Sequence, residues 1–160
     1  MPIERTPAGE AATEVILSVF RANGLLLAAG DLLSAGEGLT SARWQVLGAI
    51  DAAGRPLTAP QIARQMGLTR QSVHATVKRL IADGLVALEP NADHRRSQLV
   101  QMTELGERRY AAIDRLQSAW VNRLARGIGR SGLDTARRVL DELCARLGSE
   151  VETDRRRSAA

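Results

Sequence analysis

The sequence predicts a mainly α-helical fold with one small β-hairpin, and three observations lead to this fold class. Apolar residues recur at alternating steps of three and four along most of the 160-residue chain, which is the spacing of one face of a helix. Two short segments, LVALE at 85–89 and QLVQM at 98–102, read instead as strands on either side of a turn at 90–96. The chain has two tryptophans, one tyrosine and one phenylalanine, so Leu, Val, Ile and Ala must form the core, which favours helices.

The first predicted helix, Ala11 to Leu33, is apolar on most of its sides. One apolar seam follows three-four steps, and a second apolar set leaves polar positions mainly at Glu14, Ser18 and Arg21. A helix that is apolar nearly all round is normally buried nearly all round. In a chain of this size, we expect a second subunit to supply part of that burial.

The middle of the chain carries a helix-turn-helix pattern. Thr58 and Gln61 have the spacing of a capping box, which begins a short helix that Gly67 ends. Thr69 then caps a second helix, RQSVHATVKRLIADG, at 70–84. Two helices joined by a short turn that contains glycine are typical of the helix-turn-helix motif.

Further helices and the hairpin surround this pair. A helix between Thr40 and Gly54 precedes it, and the predicted hairpin follows it directly, in the position of a wing. Thr103 caps a long helix that extends to about Arg126, and a last helix occupies 133–148. The pattern therefore predicts a winged helix-turn-helix with helices on both sides.

Acidic residues are absent from the segments that would form the helix pair and the wing. The chain has 18 Asp and Glu residues, yet none lies between Ala52 and Ala82 or between His94 and Thr103. A surface that approaches phosphates must lack carboxylates, because like charges lower the affinity. The net charge of +4 supports a polyanionic partner only weakly, so the distribution is the stronger indication.

The second helix of the pair presents the candidate DNA-binding side chains. With Val73, Val77 and Leu80 facing inward, its outer face consists of cationic, amide-bearing and small residues. These are Arg70, Gln71, Ser72, His74, Ala75, Lys78 and Arg79. Gln and Arg can bind adenine and guanine edges through two hydrogen bonds, and Ser can bind a base or a phosphate. An ordinary solvated helix face would also hold Glu for i,i+4 pairing, and this face holds none.

Arg95 and Arg96 lie near the predicted tip of the wing. Asn91, Ala92 and Asp93 precede them and favour a turn. A wing tip can reach the adjacent minor groove, where concentrated negative potential favours arginine. Solubilising charge on an exposed hairpin is the alternative explanation, and the preceding helix pair favours the groove contact.

Other classes of function find little support in the sequence. His74 and His94 are the two histidines, and no Ser-His-Asp set, Cys-His set, metal-ligand spacing or glycine-rich phosphate loop accompanies them. A single cysteine, Cys144, excludes an internal disulfide. The N-terminal residues lack a signal pattern, and the apolar runs are too short to span a bilayer. We therefore expect a cytoplasmic protein that is not an enzyme, with no cofactor, no metal site and no membrane partner.

Three motifs, LTRQSV, RLIADGLV and DHRRSQLVQMTELG, resemble the bacterial multiple-antibiotic-resistance regulator family, MarR, and the similarity covers essentially the whole chain. The resemblance implies a homodimeric winged helix-turn-helix transcription factor whose first and last two helices form the dimer interface. Its recognition helix would be Arg70 to Ala82 and its wing Glu89 to Gln98. Arg96 corresponds to the wing arginine of the family. The family often has Asp where His94 stands here, which puts a bracing role of Asp93 in doubt.

The predicted domain organisation follows from this resemblance. One domain is expected, with flexible residues at both ends. The bounds are a flexible N-terminus at 1–10, the domain at 11–148, the winged helix-turn-helix at about 40–103, dimerisation helices at about 11–33 and 104–148, and a flexible tail at 149–160.

The resemblance also implies a function: sequence-specific binding of a pseudo-palindromic operator in double-stranded DNA, with repression as the commoner outcome. Many family members release DNA when a small aromatic or phenolic ligand enters a pocket, which Phe20, Trp44 and Trp120 could line, although aromatic residues at helical spacing are more often core. Two alternatives stay open. One is a winged-helix module that binds protein, and the other is a redox-responsive regulator that uses Cys144, which reads as a packed thiol.

Overall fold

The structure is a computed structural model that describes residues 4–94 and 97–158. In these residues it is mainly α-helical with a small antiparallel sheet, as the sequence predicts. The elements in chain order are α1 (Pro7–Ser34), a short 3₁₀ helix (Ala35–Glu37), α2 (Ser41–Ala53), β1 (Leu57–Thr58), α3 (Ala59–Met66), α4 (Arg70–Ala82), β2 (Val86–Glu89), β3 (Leu99–Met102), α5 (Glu104–Leu124) and α6 (Arg130–Ser158). The chain divides into two compact units, Met1–Gln117 and Ser118–Ala160.

The sheet has three strands rather than the two of the predicted hairpin. β3 lies in the middle and pairs antiparallel with both β2 and β1, with Leu88 and Leu57 each opposite Val100. The strand β1 is two residues long, so it is too short to show the alternation that identifies a strand in sequence. Its pairing joins the start of α3 to the wing.

The caps of the helix-turn-helix agree with the sequence prediction. The amide of Gln61 donates to Thr58 Oγ1 at 3.3 Å, and the amide of Thr58 donates to Gln61 Oε1 at 2.7 Å, which completes the capping box. Gly67 has a left-handed backbone with φ of 63°, which turns the chain out of α3. Thr69 Oγ1 accepts from the amide of Ser72 at 3.1 Å and so caps α4.

Both terminal helices extend beyond the predicted bounds. α1 begins at Pro7 instead of Ala11, because Thr6 caps it and proline is favoured in a first helical turn. α6 continues to Ser158, through most of the segment predicted as a flexible tail. An i,i+4 pair between Glu142 and Arg146, 2.6 Å apart, supports the middle of this helix.

A single apolar core holds the helix-turn-helix and the sheet together in the first unit. Val46, Leu47, Ile62 and Leu80 are among its most buried side chains. The rest of the core comprises Leu39, Ala49, Ile50, Leu57, Ala59, Ala63, Val73, Val77, Leu85, Val86, Val100 and Ile113. Since α2, α3, α4 and both wing strands contribute to it, the orientation of α4 depends on the packing of all of them.

α1 exposes much of its apolar surface. Gly30 and Ser34 are its buried residues, whereas Phe20, Leu25 and Leu32 are 69%, 67% and 82% exposed. The helical stretch Pro7–Glu37 contains an 18-residue window with a mean hydropathy of 1.5, and it is long and apolar enough to cross a membrane by length and composition. This corrects the prediction that the apolar runs are too short, since the short runs join into one long helix. The core helix of a soluble protein and an N-terminal signal sequence pass the same test, so one such helix is weak evidence for a membrane span.

Candidate nucleic-acid interface

The helix α4 carries the predicted DNA-binding residues on its exposed side. Val73, Val77 and Leu80 are buried in the core, as the pattern predicts. The residues on the opposite side are all exposed, and they are Arg70, Gln71, Ser72, His74, Ala75, Lys78 and Arg79. The structure therefore brings these seven side chains together on one solvent-facing helix surface.

The cations of this surface have no acidic partner within the part of the chain that the structure describes. Arg70, Lys78 and Arg79 take part in none of the ion pairs formed by the described residues. On α6, by contrast, Arg137 and Arg146 each bind an acid one turn away. Charge that is not neutralised within the protein is available to phosphates, and its contact with them releases condensed counterions.

The start of α4 adds to this positive potential. Its first turn holds no acidic residue, and Arg70 is its first residue. The free backbone amides at a helix start carry partial positive charge and favour anions. The side chain and the backbone therefore give the same sign of potential at this end of the helix.

The wing loop has the turn that the sequence predicts. The amide of Asp93 donates to Asn91 Oδ1 at 3.1 Å, and the amide of Ser97 donates to the carbonyl of His94 at 2.9 Å. His94 is exposed beside this turn. Arg95 and Arg96, the wing-tip candidates, fall outside the residues that the structure describes.

A cleft of about 540 Å³ separates the start of α3 from the wing loop. Arg55, Arg64 and His94 line it together with one acid, Asp93, and with several neutral residues. Arg55 and Arg64 are not among the binding residues predicted from the sequence. The acid-free window from Ala52 to Ala82 contains both and could have identified them.

Polar contacts that the sequence does not predict hold the far end of α4. Arg43 Nη1 donates to Asp83 Oδ2 at 2.5 Å, which joins α2 to the last turn of α4. Thr103 Oγ1 donates to the carbonyl of Gly84 at 2.7 Å, and its amide donates to the carbonyl of Leu85 at 3.0 Å. Thr103 also caps α5 as predicted, by accepting from the amide of Gly106 at 3.1 Å. The end of α4 is thus tied to both α2 and α5.

The start of α5 also contacts α2 and the 3₁₀ helix. Arg109 Nη1 donates to the carbonyl and to the carboxylate of Glu37, at 3.1 and 3.2 Å. The ring of Tyr110 lies over Gly48, and its hydroxyl interacts with Asp51. Burial raises the pKa of Tyr110 above its ordinary value of 10.0, and the Asp51 and Asp114 carboxylates raise it further.

The three aromatic candidates for a ligand pocket differ in their surroundings. Trp44 is partly buried, packs against the core and lies beside Gly30 of α1, which is the core role expected of such a residue. Phe20 is exposed on α1, and Trp120 belongs to the second unit. Cys144 is exposed on α6, which corrects its interpretation as a packed thiol.

Among the residues that the structure describes, no group of three or more His, Cys, Asp or Glu residues could hold a metal ion. The exposed surface of α4 carries cationic, amide and hydroxyl side chains, which bind through hydrogen bonds and charge.

Comparisons with known proteins agree with this geometry. The sequence profile of the MarR family matches residues 37–97. An uncharacterised protein of Mycobacterium tuberculosis is 38% identical over 136 residues, which cover 85% of this chain and 94% of the relative. The transcriptional activatory protein BadR of Rhodopseudomonas palustris is 31% identical over 99 residues, 61% of this chain and 57% of BadR.

A solved structure shares the fold over most of the chain. CouR of Rhodococcus jostii RHA1, crystallised with p-coumaroyl-CoA, has a TM-score of 0.74 and 22% identity. The match covers 83% of this chain and 93% of CouR. The profile match and the sequence relatives show that the chain belongs to the MarR family of transcriptional regulators, and its winged helix-turn-helix has the fold of the solved structure.

Proposed function

We propose that the protein is a cytoplasmic homodimer that represses transcription by binding a near-palindromic operator, and that a small aromatic ligand releases it. Membership of the MarR family supplies the general function, which is regulation of transcription through DNA. The operator contacts, the dimer, the ligand and the sign of regulation are the specific parts of this proposal.

The exposed surface of α4 is the single observation that carries the DNA contact. It joins cations that lack an acidic partner among the described residues to Gln71 and Ser72, near a helix start that attracts anions. In this proposal Arg70 and Gln71 read base edges in the major groove, while Lys78 and Arg79 contact phosphates. Arg95 and Arg96 of the wing would enter the minor groove.

The apolar surface of α1 supports the homodimer. Phe20, Leu25 and Leu32 are more than half exposed, and an isolated soluble chain seldom leaves so much apolar surface uncovered. α6 also exposes apolar residues, Leu147 and Val151 among them. We assign helices at about 11–33 and 104–148 to the dimer and residues at about 40–103 to DNA binding.

The ligand is the part that relies most on relatives. CouR was crystallised with p-coumaroyl-CoA, which carries a phenol. By analogy, a phenolic or other aromatic ligand would bind this protein near Phe20, Trp44 or Trp120. Such a ligand would release DNA by binding better to the conformation that does not fit the operator.

Activation of transcription is a second candidate, and one observation favours it. BadR, which is 31% identical over its matched segment, is an activatory protein. The same dimer and the same operator contacts would serve either outcome, because the position of the operator relative to the promoter decides between them.

Selection from a pool of random DNA duplexes tests the proposal. The purified protein should enrich a near-palindrome whose half-sites lie about one helical turn, roughly 10 base pairs, apart. Placing the enriched duplex across a reporter promoter should lower expression, whereas a rise would identify an activator. Enrichment of no sequence, or a monomer bound to a lone half-site, would contradict the proposal.

A further inference from the structure

The geometry points to the Arg43–Asp83 ion pair as a positioning device that fixes the recognition helix α4 for operator binding. This inference rests on the proposed function and concerns residues outside the exposed DNA-facing surface. Arg43 lies in the first turn of α2, and Asp83 is the residue that ends α4. Their side chains are 21% and 44% exposed, and their nitrogen and oxygen atoms are 2.5 Å apart.

Each charge of the pair lies at the unfavourable end of its own helix. A helix start carries partial positive charge, which disfavours Arg43 in the first turn of α2. A helix end carries partial negative charge, which disfavours Asp83 at the end of α4. Neither residue therefore stabilises the helix that contains it, and the gain comes from the contact between the two helices.

The contact adds a directional restraint on α4 to the packing of the core. Val73, Val77 and Leu80 bury one side of α4, but apolar burial is non-directional and tolerates small rotations of a helix about its axis. A charge-assisted hydrogen bond has a narrow range of distance and angle. Because the pair acts at the C-cap of α4, it limits both rotation and sliding of the surface that carries Gln71 and Lys78.

Operator discrimination is the property that depends most on this restraint. Contacts with base edges require placement within about 0.5 Å, whereas contacts with phosphates tolerate larger shifts. A partly exposed ion pair adds little to stability, so its removal should leave the fold intact. Without the pair, the affinity for the operator should therefore fall more than the affinity for unrelated DNA.

The test compares full-length variants on two fluorescent duplexes, one with the sequence that the natural protein enriches and one unrelated. The variants are Arg43→Ala, Asp83→Ala and the exchanged pair Arg43→Asp with Asp83→Arg. Arg108→Ala is the matched control, because it removes an ion pair with Glu104 within a single helix. Discrimination is measured as the dissociation constant for the unrelated duplex divided by the dissociation constant for the enriched duplex. Circular dichroism confirms folding.

We expect each single variant to reduce the ratio by about tenfold and the control to leave it unchanged. The exchanged pair should recover it to within about threefold, since it restores the contact and places each charge at the favourable end of its helix. If Asp83 acted only through its charge, Asp83→Ala should instead bind both duplexes more tightly, because the substitution removes an acid near the phosphates.

Two results would overturn this inference but leave the proposed function intact. They are an unchanged ratio in folded Arg43→Ala, or equally tighter binding of Asp83→Ala to both duplexes. A natural protein that does not discriminate between the duplexes would overturn the proposed function and this inference with it.

Discussion

The helix α5 passes so close to the end of α4 that a β-carbon on Gly106 would lie 2.1 Å from the carbonyl oxygen of Leu85. This oxygen also accepts a hydrogen bond from the amide of Thr103. Glycine is therefore required at this position by the approach of two backbones, with no positive φ involved. The contact joins α5 directly to the segment that leaves the recognition helix.

Gly106→Ala should destabilise the protein, because the backbone of Leu85 cannot move away without shifting α4. A forced fit in a packed region costs about 1–3 kcal/mol in the free energy of unfolding, which urea denaturation at a fixed protein concentration measures. Gly148→Ala on α6 is the control: its β-carbon meets nothing within 4 Å, so it should be neutral or stabilising. Equal effects of the two substitutions would show that the close approach does not restrict the fold.

Thr69→Ala should weaken the start of the recognition helix. The substitution removes the oxygen that accepts the Ser72 amide at 3.1 Å, and removal of such a cap costs about 1 kcal/mol. Amide hydrogen exchange should accelerate in the first turn of α4, and Thr69→Ser, which keeps the oxygen, should not change it. Unaltered exchange in Thr69→Ala would mean that the cap is not needed.

Tyr110 should titrate at a higher pH in the folded protein than in the unfolded chain. Burial and the Asp51 and Asp114 carboxylates raise its pKa above 10.0. The folded state then holds a proton that the unfolded state loses, so the stabilisation is complete below about pH 10 and declines as the pH rises through the folded pKa.

The titration can be followed directly, because Tyr110 is the single tyrosine of the chain and tyrosinate absorbs in the ultraviolet. The midpoint in buffer should lie above the midpoint in urea. The free energy of unfolding should also fall more steeply above about pH 10 in the natural protein than in Tyr110→Phe. Identical midpoints in buffer and urea would contradict the assigned surroundings of this hydroxyl.

Phe20→Glu should shift the proposed dimer towards monomer. Phe20 is 69% exposed on α1, on the opposite side of the helix from Ser18, and a charge there would be buried without a partner in a dimer. Sedimentation equilibrium should give a dimer dissociation constant at least about tenfold higher. Ser18→Glu, on the polar side of the same helix, should have little effect. Dimers of equal strength in both variants would place the interface elsewhere.

The sequence predicted the parts of this structure that local patterns determine. Val73, Val77 and Leu80 face the core as their spacing indicates, and the caps at Thr58, Thr69 and Thr103 form as their positions in the sequence predict. These features depend on neighbours within one or two helical turns, which a single sequence displays.

Features that depend on distant partners were not predictable in this way. The Arg43–Asp83 pair joins residues 40 positions apart, and β1 is a strand only because β3 lies beside it. The close approach of Gly106 to Leu85 likewise follows from tertiary packing. For the candidate site, the acid-free window contains the exposed residues of α4, but the sequence could not place Arg55 and Arg64 at the cleft beside the wing.

The salt dependence of DNA binding tests the central claim most directly, which is that the exposed surface of α4 binds phosphates. The logarithm of the affinity of the natural protein for its enriched duplex should fall linearly and steeply with the logarithm of the salt concentration. Lys78→Ala should make that slope shallower by about one for each phosphate that the protein no longer neutralises, whereas Arg138→Ala on α6 should leave the slope unchanged. Equal slopes for the natural protein and Lys78→Ala, or binding that does not respond to salt, would contradict the account.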